Sequence, residues 1–303
     1  MQNKFVRILA WLAAIAVFTL FAMGIWLIAC GGSQTTVSLK WLQLLQTLGT
    51  FLLPPVLCAW MWDSEHKPFT WLNMDKGARW KVFATAVLIM LCAIPAINLL
   101  AEWNSRIELP ESLGFIEQKL REMEESAAQL TERFMQTDTV WGLILNIGLM
   151  ALLPAFAEEM SFRGTMQQIF SPVSGKSVEK ISRHAHVAIW VTATVFSAIH
   201  LQFYGFIPRM LMGALFGYMF VLTGTLWVPI LMHFTNNCIA VISYYVLGPE
   251  NIASGVDSTN IADTIGAGDT WWLGLLSMII VTLLVWSLTS RGQQGFGRRT
   301  RTQ

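Results

Sequence analysis

The chain has 303 residues, of which 54% are hydrophobic and 13% are charged, and its formal net charge is +1. So apolar a composition excludes an ordinary soluble domain and is typical of a polytopic membrane protein. The small net charge, with basic residues scattered over loops, indicates no nucleic-acid partner. The four cysteines lack C-x-x-C spacing, so neither a disulfide framework nor a thiolate zinc site is implied.

Eight apolar runs are long enough to cross a bilayer, which predicts an all-α bundle of about eight transmembrane helices. The runs cover residues 6–30, 41–62, 80–101, 140–170, 186–203, 206–222, 225–247 and 271–289. The first run is longer than the apolar region of a signal peptide, so we expect it to be a retained span.

Basic residues cluster in loops that would all lie on one side of the membrane. They are Lys4, Arg7, Lys67, Lys76, Arg79, Lys81, Lys176, Lys180, Arg183, Arg291, Arg298, Arg299 and Arg301. The positive-inside rule then places both termini in the cytoplasm. The short loops and the lack of a targeting signal favour a multi-pass protein of a bacterial cytoplasmic membrane, whose anionic lipids would attract the basic tail.

An apolar stripe with a spacing of about 3.5 residues lies between the third and fourth runs. Its members are Leu109, Leu113, Ile116, Leu120, Met123, Ala127, Leu130 and Phe134, and glutamates stand between them. The pattern predicts an amphipathic acidic helix at about 109–136 on the outer side. Such a helix could lie over the bundle, pair two copies of the chain as a homo-oligomer, or simply pack.

The stretch 155–164 places two adjacent carboxylates and an arginine within the apolar run 140–170. An ionised side chain near the bilayer centre costs roughly 2.5–3.5 kcal/mol unless it is paired, solvated or functional. Glu159 and Arg163 are four residues apart and share a helix face, which favours an ion pair. Glu158 points elsewhere, so we expect it to do chemistry while the pair stabilises the helix. A purely structural charge cluster is the alternative.

Two later runs carry polar residues at helical spacing, as Phe196-x-x-x-His200 and His233-x-x-x-Asn237. Each motif alone is typical of a hydrogen-bonded packing residue. Measured from the inner ends of their runs at about 1.5 Å per residue, the polar groups of the three runs lie roughly 12–21 Å deep. We therefore expect them to meet in one layer of the bundle.

The three motifs together resemble those of the CAAX protease and bacteriocin-processing (CPBP) family of intramembrane endopeptidases, which includes the type 2 CAAX prenyl proteases. The resemblance covers about 155–240. It divides the chain into a three-span N-terminal region (1–139, with the amphipathic helix), a catalytic core (140–247), and an outer loop, last span and basic tail (248–303).

The resemblance implies hydrolysis of a peptide bond in a membrane-associated substrate. Glu158 would be the general base, His200 its partner in holding the attacking water, and His233 with Asn237 the groups that stabilise the oxyanion. Histidine and amide donors suit that last role, because they act strongly on developing charge in a low-dielectric site. The other motif residues, Glu159, Arg163 and Phe196, would support them.

These residues are compatible with either a zinc-dependent or a metal-free mechanism. Glu158, His200 and His233 could supply three protein ligands to a catalytic zinc ion. The chain has no H-E-x-x-H motif, however, and the same residues can run a metal-free glutamate mechanism, which we prefer. Two other classes are weighed against a protease: a transporter, for which we find no internal repeat, and a non-catalytic immunity or scaffold protein, which would be expected to lack one of the four chemical residues.

Overall fold

The computed structural model describes residues 3–173, 181–247 and 265–296, and within them the chain is helical. The main helices are α1 (Lys4–Cys30), α2 (Thr36–Trp62), α3 (Trp80–Ser105), α4 (Gly114–Met135), α5 (Val140–Phe170), α6 (Arg183–Ala198), α7 (Phe206–Thr223), α8 (Trp227–Leu247) and α9 (Trp271–Phe296). The predicted all-α membrane bundle is confirmed. Residues 248–264 of the predicted outer loop and residues 297–303 of the predicted basic tail lie outside the described residues.

Seven of the described helices are long and apolar enough to cross a membrane. The fifth predicted run, 186–203, forms the shorter helix α6, which has 16 residues and ends at Ala198. At about 1.5 Å per residue this helix is roughly 24 Å long, less than a typical hydrocarbon core. It ends early because the chain turns there, and Leu201 takes a left-handed conformation with φ 54°.

Two of the membrane helices widen into π-helical turns just before prolines. In α2 the π turn Thr47–Leu52 precedes Pro54 and Pro55, and in α5 the π turn Ile147–Leu152 precedes Pro154. Proline has no N–H and its ring displaces the carbonyl of the preceding turn, so the ladder must adjust there.

A further π turn in α5, Phe162–Gln167, contains no proline but includes Arg163. Such turns are frequent at functional sites, and this one lies within the predicted catalytic stretch.

The core that positions α7 and α8 lies against α3. Ile89 of α3 packs with Phe216 and Met219 of α7 and with Met232 of α8, and all four are buried. Without a hydrophobic driving force inside a bilayer, close packing of this kind stabilises helix association. The cluster fixes the depth of α8, which carries two of the predicted site residues.

The predicted amphipathic helix forms α4, although it begins later than 109. A 3₁₀ turn, Glu111–Leu113, precedes it, and the Leu109 N–H donates to Glu117 Oε2 at 2.9 Å. Of the residues in α4 only Phe134 is buried. The helix is therefore lightly packed, and polar contacts to the α6–α7 turn, described below, attach it to the bundle.

Candidate active site

The predicted ion pair between Glu159 and Arg163 is present in α5. Arg163 Nη1 donates to Glu159 Oε1 at 2.7 Å, and both side chains are fully buried. Arg163 Nη2 also donates to the Gly213 carbonyl of α7 at 3.0 Å. A Cβ at Gly213 would lie 3.2 Å from Nη2 and 3.3 Å from the Ala193 backbone, so glycine is what lets the two helices approach the guanidinium.

Glu159 has a second hydrogen-bond partner, which lies on another helix and so cannot be predicted from residue spacing within α5. His233 Nδ1 of α8 lies 2.9 Å from Glu159 Oε1. Because an ionised carboxylate only accepts hydrogen bonds, Nδ1 carries the hydrogen, and the other ring nitrogen is directed away from Glu159. One fully buried carboxylate thus orients both the arginine of its own helix and the histidine of the next.

Glu158 stands apart from this network, as predicted. Its side chain is 15% exposed, and among the described residues its carboxylate accepts no hydrogen bond. The nearest basic group is His233 Nε2, 3.9 Å from Glu158 Oε2. A water molecule about 2.8 Å from both atoms fits that separation.

His200 lies two residues beyond the end of α6, in the turn to α7, whereas the sequence predicts it on a continuing helical face. Its Nδ1 donates to the Phe196 carbonyl at 2.8 Å, so its Nε2 is the nitrogen left to accept a hydrogen bond. His200 also lines a cavity of about 350 Å³ beneath α4, with Glu122 and Ser126 among the other lining residues. That cavity gives the histidine a route to solvent.

Phe196 brings the two histidines together. Its ring centroid lies 5.1 Å from that of His200 and 6.0 Å from that of His233, in edge-to-face contacts. The Arg163 guanidinium lies 4.5 Å over the same ring. Phe196, predicted as a supporting residue, thus contacts His200, His233 and Arg163.

Asn237 lies one turn beyond His233 on α8. Its Nδ2 is 3.5 Å from the Met150 carbonyl in the π turn of α5, at the outer limit of a hydrogen bond, and its Oδ1 accepts from Asn236 at 3.2 Å. So weak a donor interaction is easily exchanged for a better acceptor.

Arg209 of α7 is the charged residue that the sequence reasoning missed. Its Nη2 donates to Gln202 Oε1 at 2.6 Å, while its Nη1 is buried without a partner among the described residues. Gln202 is two residues after His200, so the Arg209 guanidinium lies next to the turn that carries this histidine. The signal was available, because an arginine inside the apolar run 206–222 is costly unless it is paired or functional.

The α4 helix is attached at this same place. Glu124 Oε2 accepts the Tyr204 N–H at 3.2 Å, and the Arg121 guanidinium lies 4.4 Å over the Tyr204 ring. Burial raises the pKa of Glu124, against the opposing effects of the Tyr204 N–H and of Arg209. The amphipathic helix therefore lies next to the turn that carries His200.

Glu158, His200 and His233 are the three residues that could supply ligands to a zinc ion. Within the described residues, no three His, Cys, Asp or Glu side chains come together in a way that could hold a metal ion. The Nδ1 atoms of His233 and His200 are bonded to Glu159 and to the Phe196 carbonyl, so the Nε2 atom of each ring is the one left for a further contact. We derive no step through a metal.

The family model described as "Type II CAAX prenyl endopeptidase Rce1-like" matches residues 140–239. Over this segment the chain is similar to the Rce1-like endopeptidases. The Rce1-like segment contains every residue that the motifs singled out, and the predicted resemblance to the CAAX proteases is confirmed over it. The description of the family model is that of an endopeptidase. The match covers 100 of the 303 residues, so the helices α1 to α4 and α9 lie outside it.

A curated protein of Bacillus subtilis (strain 168), "Uncharacterized protein YpbD", is 33% identical over 95 residues. That alignment covers 30% of this chain and 41% of the relative. The chain thus spans less than half the length of the relative it matches. No solved structure is matched.

Proposed function

We propose that the chain is an intramembrane endopeptidase in which Glu158 activates water to hydrolyse a peptide bond of a membrane-associated substrate. The observation that carries this proposal is the division of labour between adjacent carboxylates. Glu159 is fully buried and bonded to Arg163 and His233. Glu158 is 15% exposed and lies 3.9 Å from a histidine nitrogen that has no other partner among the described residues.

Glu158 would accept a proton from a water molecule that His200 also binds. The His200 Nε2 is available for this because its Nδ1 donates to the Phe196 carbonyl. As the proton moves to Glu158, the water oxygen attacks the substrate carbonyl carbon. The tetrahedral intermediate then collapses with cleavage of its C–N bond, and Glu158 passes the proton to the leaving amine nitrogen, which restores the carboxylate.

The oxyanion formed in that attack would be stabilised by Asn237 Nδ2 and by His233. Asn237 would exchange its 3.5 Å contact with the Met150 carbonyl for the oxyanion. His233 can donate from Nε2 only in its imidazolium form, because Nδ1 already donates to Glu159. Its role in the transition state thus depends on a proton at both ring nitrogens, and Glu159 supplies the negative charge that faces one of them.

No metal ion takes part in this proposal. In it each of the four groups has a task in water activation or oxyanion binding, so the reaction needs no ion. The orientation is also proposed, with both termini cytoplasmic and α4 on the outer side of a bacterial cytoplasmic membrane.

Comparative proteomics of membranes tests the proposal. Cells that carry the wild-type chain are compared with cells that carry the Glu158→Gln variant at matched expression. We expect at least one membrane peptide to remain uncut in the variant. Identical membrane peptides in the two strains, with both proteins folded and abundant, would contradict the proposal.

A further inference from the structure

A cavity of about 990 Å³ lies between α3, α4 and α8. Ile94 and Ile97 of α3 and Ile239 of α8 give it an apolar wall, while Glu125 and Glu132 of α4 give it an acidic one. Its volume is at the upper end of the range for ligand pockets in proteins. The cavity is therefore large enough for a chain-like ligand, and it has one apolar wall and one acidic wall.

The cavity adjoins the candidate active site. Asn236, the neighbour of Asn237 on α8, lines it, and so does Gln202, two residues after His200. Gln202 accepts a hydrogen bond from Arg209 Nη2 at 2.6 Å. A ligand in the cavity would thus reach the turn that carries His200 and the helix that carries His233 and Asn237.

A buried hydroxyl in the cavity wall lacks a partner. Tyr244 lines the cavity with a side chain that is 7% exposed, and its Oη makes no hydrogen bond within the described residues. Buried polar atoms are nearly always hydrogen-bonded in folded proteins, so an unpartnered one calls for an explanation. A ligand that supplies the missing partner is such an explanation.

The glutamates of α4 that line the cavity differ in their ion pairing from two glutamates that lie away from it. Away from it, Glu117 pairs with Arg121 and Glu122 pairs with Lys119. In the cavity wall, Glu132 forms no ion pair with any described residue, and Glu125 accepts only from the amide of Gln129. The negative charge of this wall is thus left for a cation that the described part of the chain does not provide.

We propose that this cavity receives the substrate as an apolar peptide segment with a lysine or arginine side chain opposite Glu125 and Glu132. The proposal rests on the proposed function, and it names the substrate class for the same site. The amide side chains of Gln129, Gln202 and Asn236 offer donors and acceptors that match a peptide backbone. The acidic wall would repel an anionic lipid head group.

Binding of labelled peptides tests this assignment without any cleavage. The protein is the purified full chain with Glu158→Gln, so that the peptides stay intact. The probes are dye-labelled leucine–alanine peptides that differ at one position, which is lysine, norleucine or glutamate. We expect the lysine peptide to bind about 3- to 10-fold more tightly than the norleucine peptide, since one partly buried ion pair or hydrogen bond is at stake.

Variants locate the effect. Adding Glu132→Gln should reduce the preference for lysine, and adding Tyr244→Phe should weaken binding of all three peptides. The matched control is Glu111→Gln, because Glu111 is an exposed acid that lines neither cavity. Equal affinity for the three peptides, or equal effects of Glu132→Gln and Glu111→Gln, would overturn the proposal.

Two further arms separate the alternatives. Saturable binding of a fluorescent phosphatidylethanolamine that Glu132→Gln weakens, with no charge preference among the peptides, would assign the cavity to lipid and overturn the proposal. Cleavage is then measured with the wild-type chain. If the lysine peptide binds more tightly but no peptide or membrane protein is cleaved, the proposed function alone is contradicted. If cleavage occurs but the three peptides bind equally, the cavity assignment alone is contradicted.

Discussion

Replacing Glu159 by glutamine should lower the free energy of unfolding much more than replacing Glu158 by glutamine. The Glu159 carboxylate accepts from Arg163 at 2.7 Å and from His233 at 2.9 Å, and its side chain is fully buried. Glutamine there removes the charge and turns either an oxygen or an NH₂ group toward two donors. Arg163 is then left buried beside a neutral partner.

The size of the effect follows from that burial. Removing one partner of a buried ion pair typically costs about 3–5 kcal/mol, a large fraction of the roughly 5–15 kcal/mol that stabilises a typical domain. Glu158 is 15% exposed and accepts no hydrogen bond among the described residues. Its change to glutamine breaks no hydrogen bond among the described residues and should therefore cost much less stability than the change at Glu159.

The assay is unfolding of the two purified variants in the same detergent, followed by helical signal, together with cleavage of a substrate found by proteomics. Glu158→Gln should keep the wild-type unfolding midpoint and lose cleavage. Glu159→Gln should lose stability and activity together. Equal losses of stability in the two variants would refute the division between a structural and a chemical carboxylate.

Three other predictions follow from the site and from α4. Asn237→Ala should lower kcat by about 10²–10³ and leave KM nearly unchanged, as expected for a lost oxyanion donor; a change in KM alone would contradict that role. With the native cysteines replaced, an impermeant maleimide on intact cells should label Glu111→Cys and not Asp75→Cys, and the reverse pattern would invert the proposed orientation. Burial raises the pKa of Glu124 above 4.5, so the buried position of Glu124, and with it the packing of α4 on the bundle, should be most stable below that pH and weaken as the pH rises through the raised pKa. Limited proteolysis of α4 should show this dependence in the wild type and lose it in Glu124→Gln; the same dependence in both would contradict the assignment.

The local parts of the site could be predicted from sequence because they depend on helix geometry alone. The spacing of four residues between Glu159 and Arg163 predicts their ion pair, and the structure has it. The apolar periodicity likewise predicts α4, although its start is wrong by several residues because Pro110 and the bond from Leu109 to Glu117 form a separate turn.

The parts that join distant segments could not be predicted in this way. The hydrogen bond between Glu159 and His233 connects residues 74 positions apart, and no periodicity reports it. The turn at Leu201 removes His200 from the helix that its spacing to Phe196 predicts. Arg209 is different, because its charge in an apolar run was a usable signal and only its partners required the structure.

The central claim is that Glu158 activates water without a metal ion, and chelation tests it most directly. The purified wild-type chain is assayed for substrate cleavage before and after treatment with a strong zinc chelator, and its metal content is measured in the same sample. Our account predicts unchanged cleavage and far less than one zinc ion per chain. Near-stoichiometric zinc, with cleavage lost to the chelator and restored by zinc alone, would contradict it.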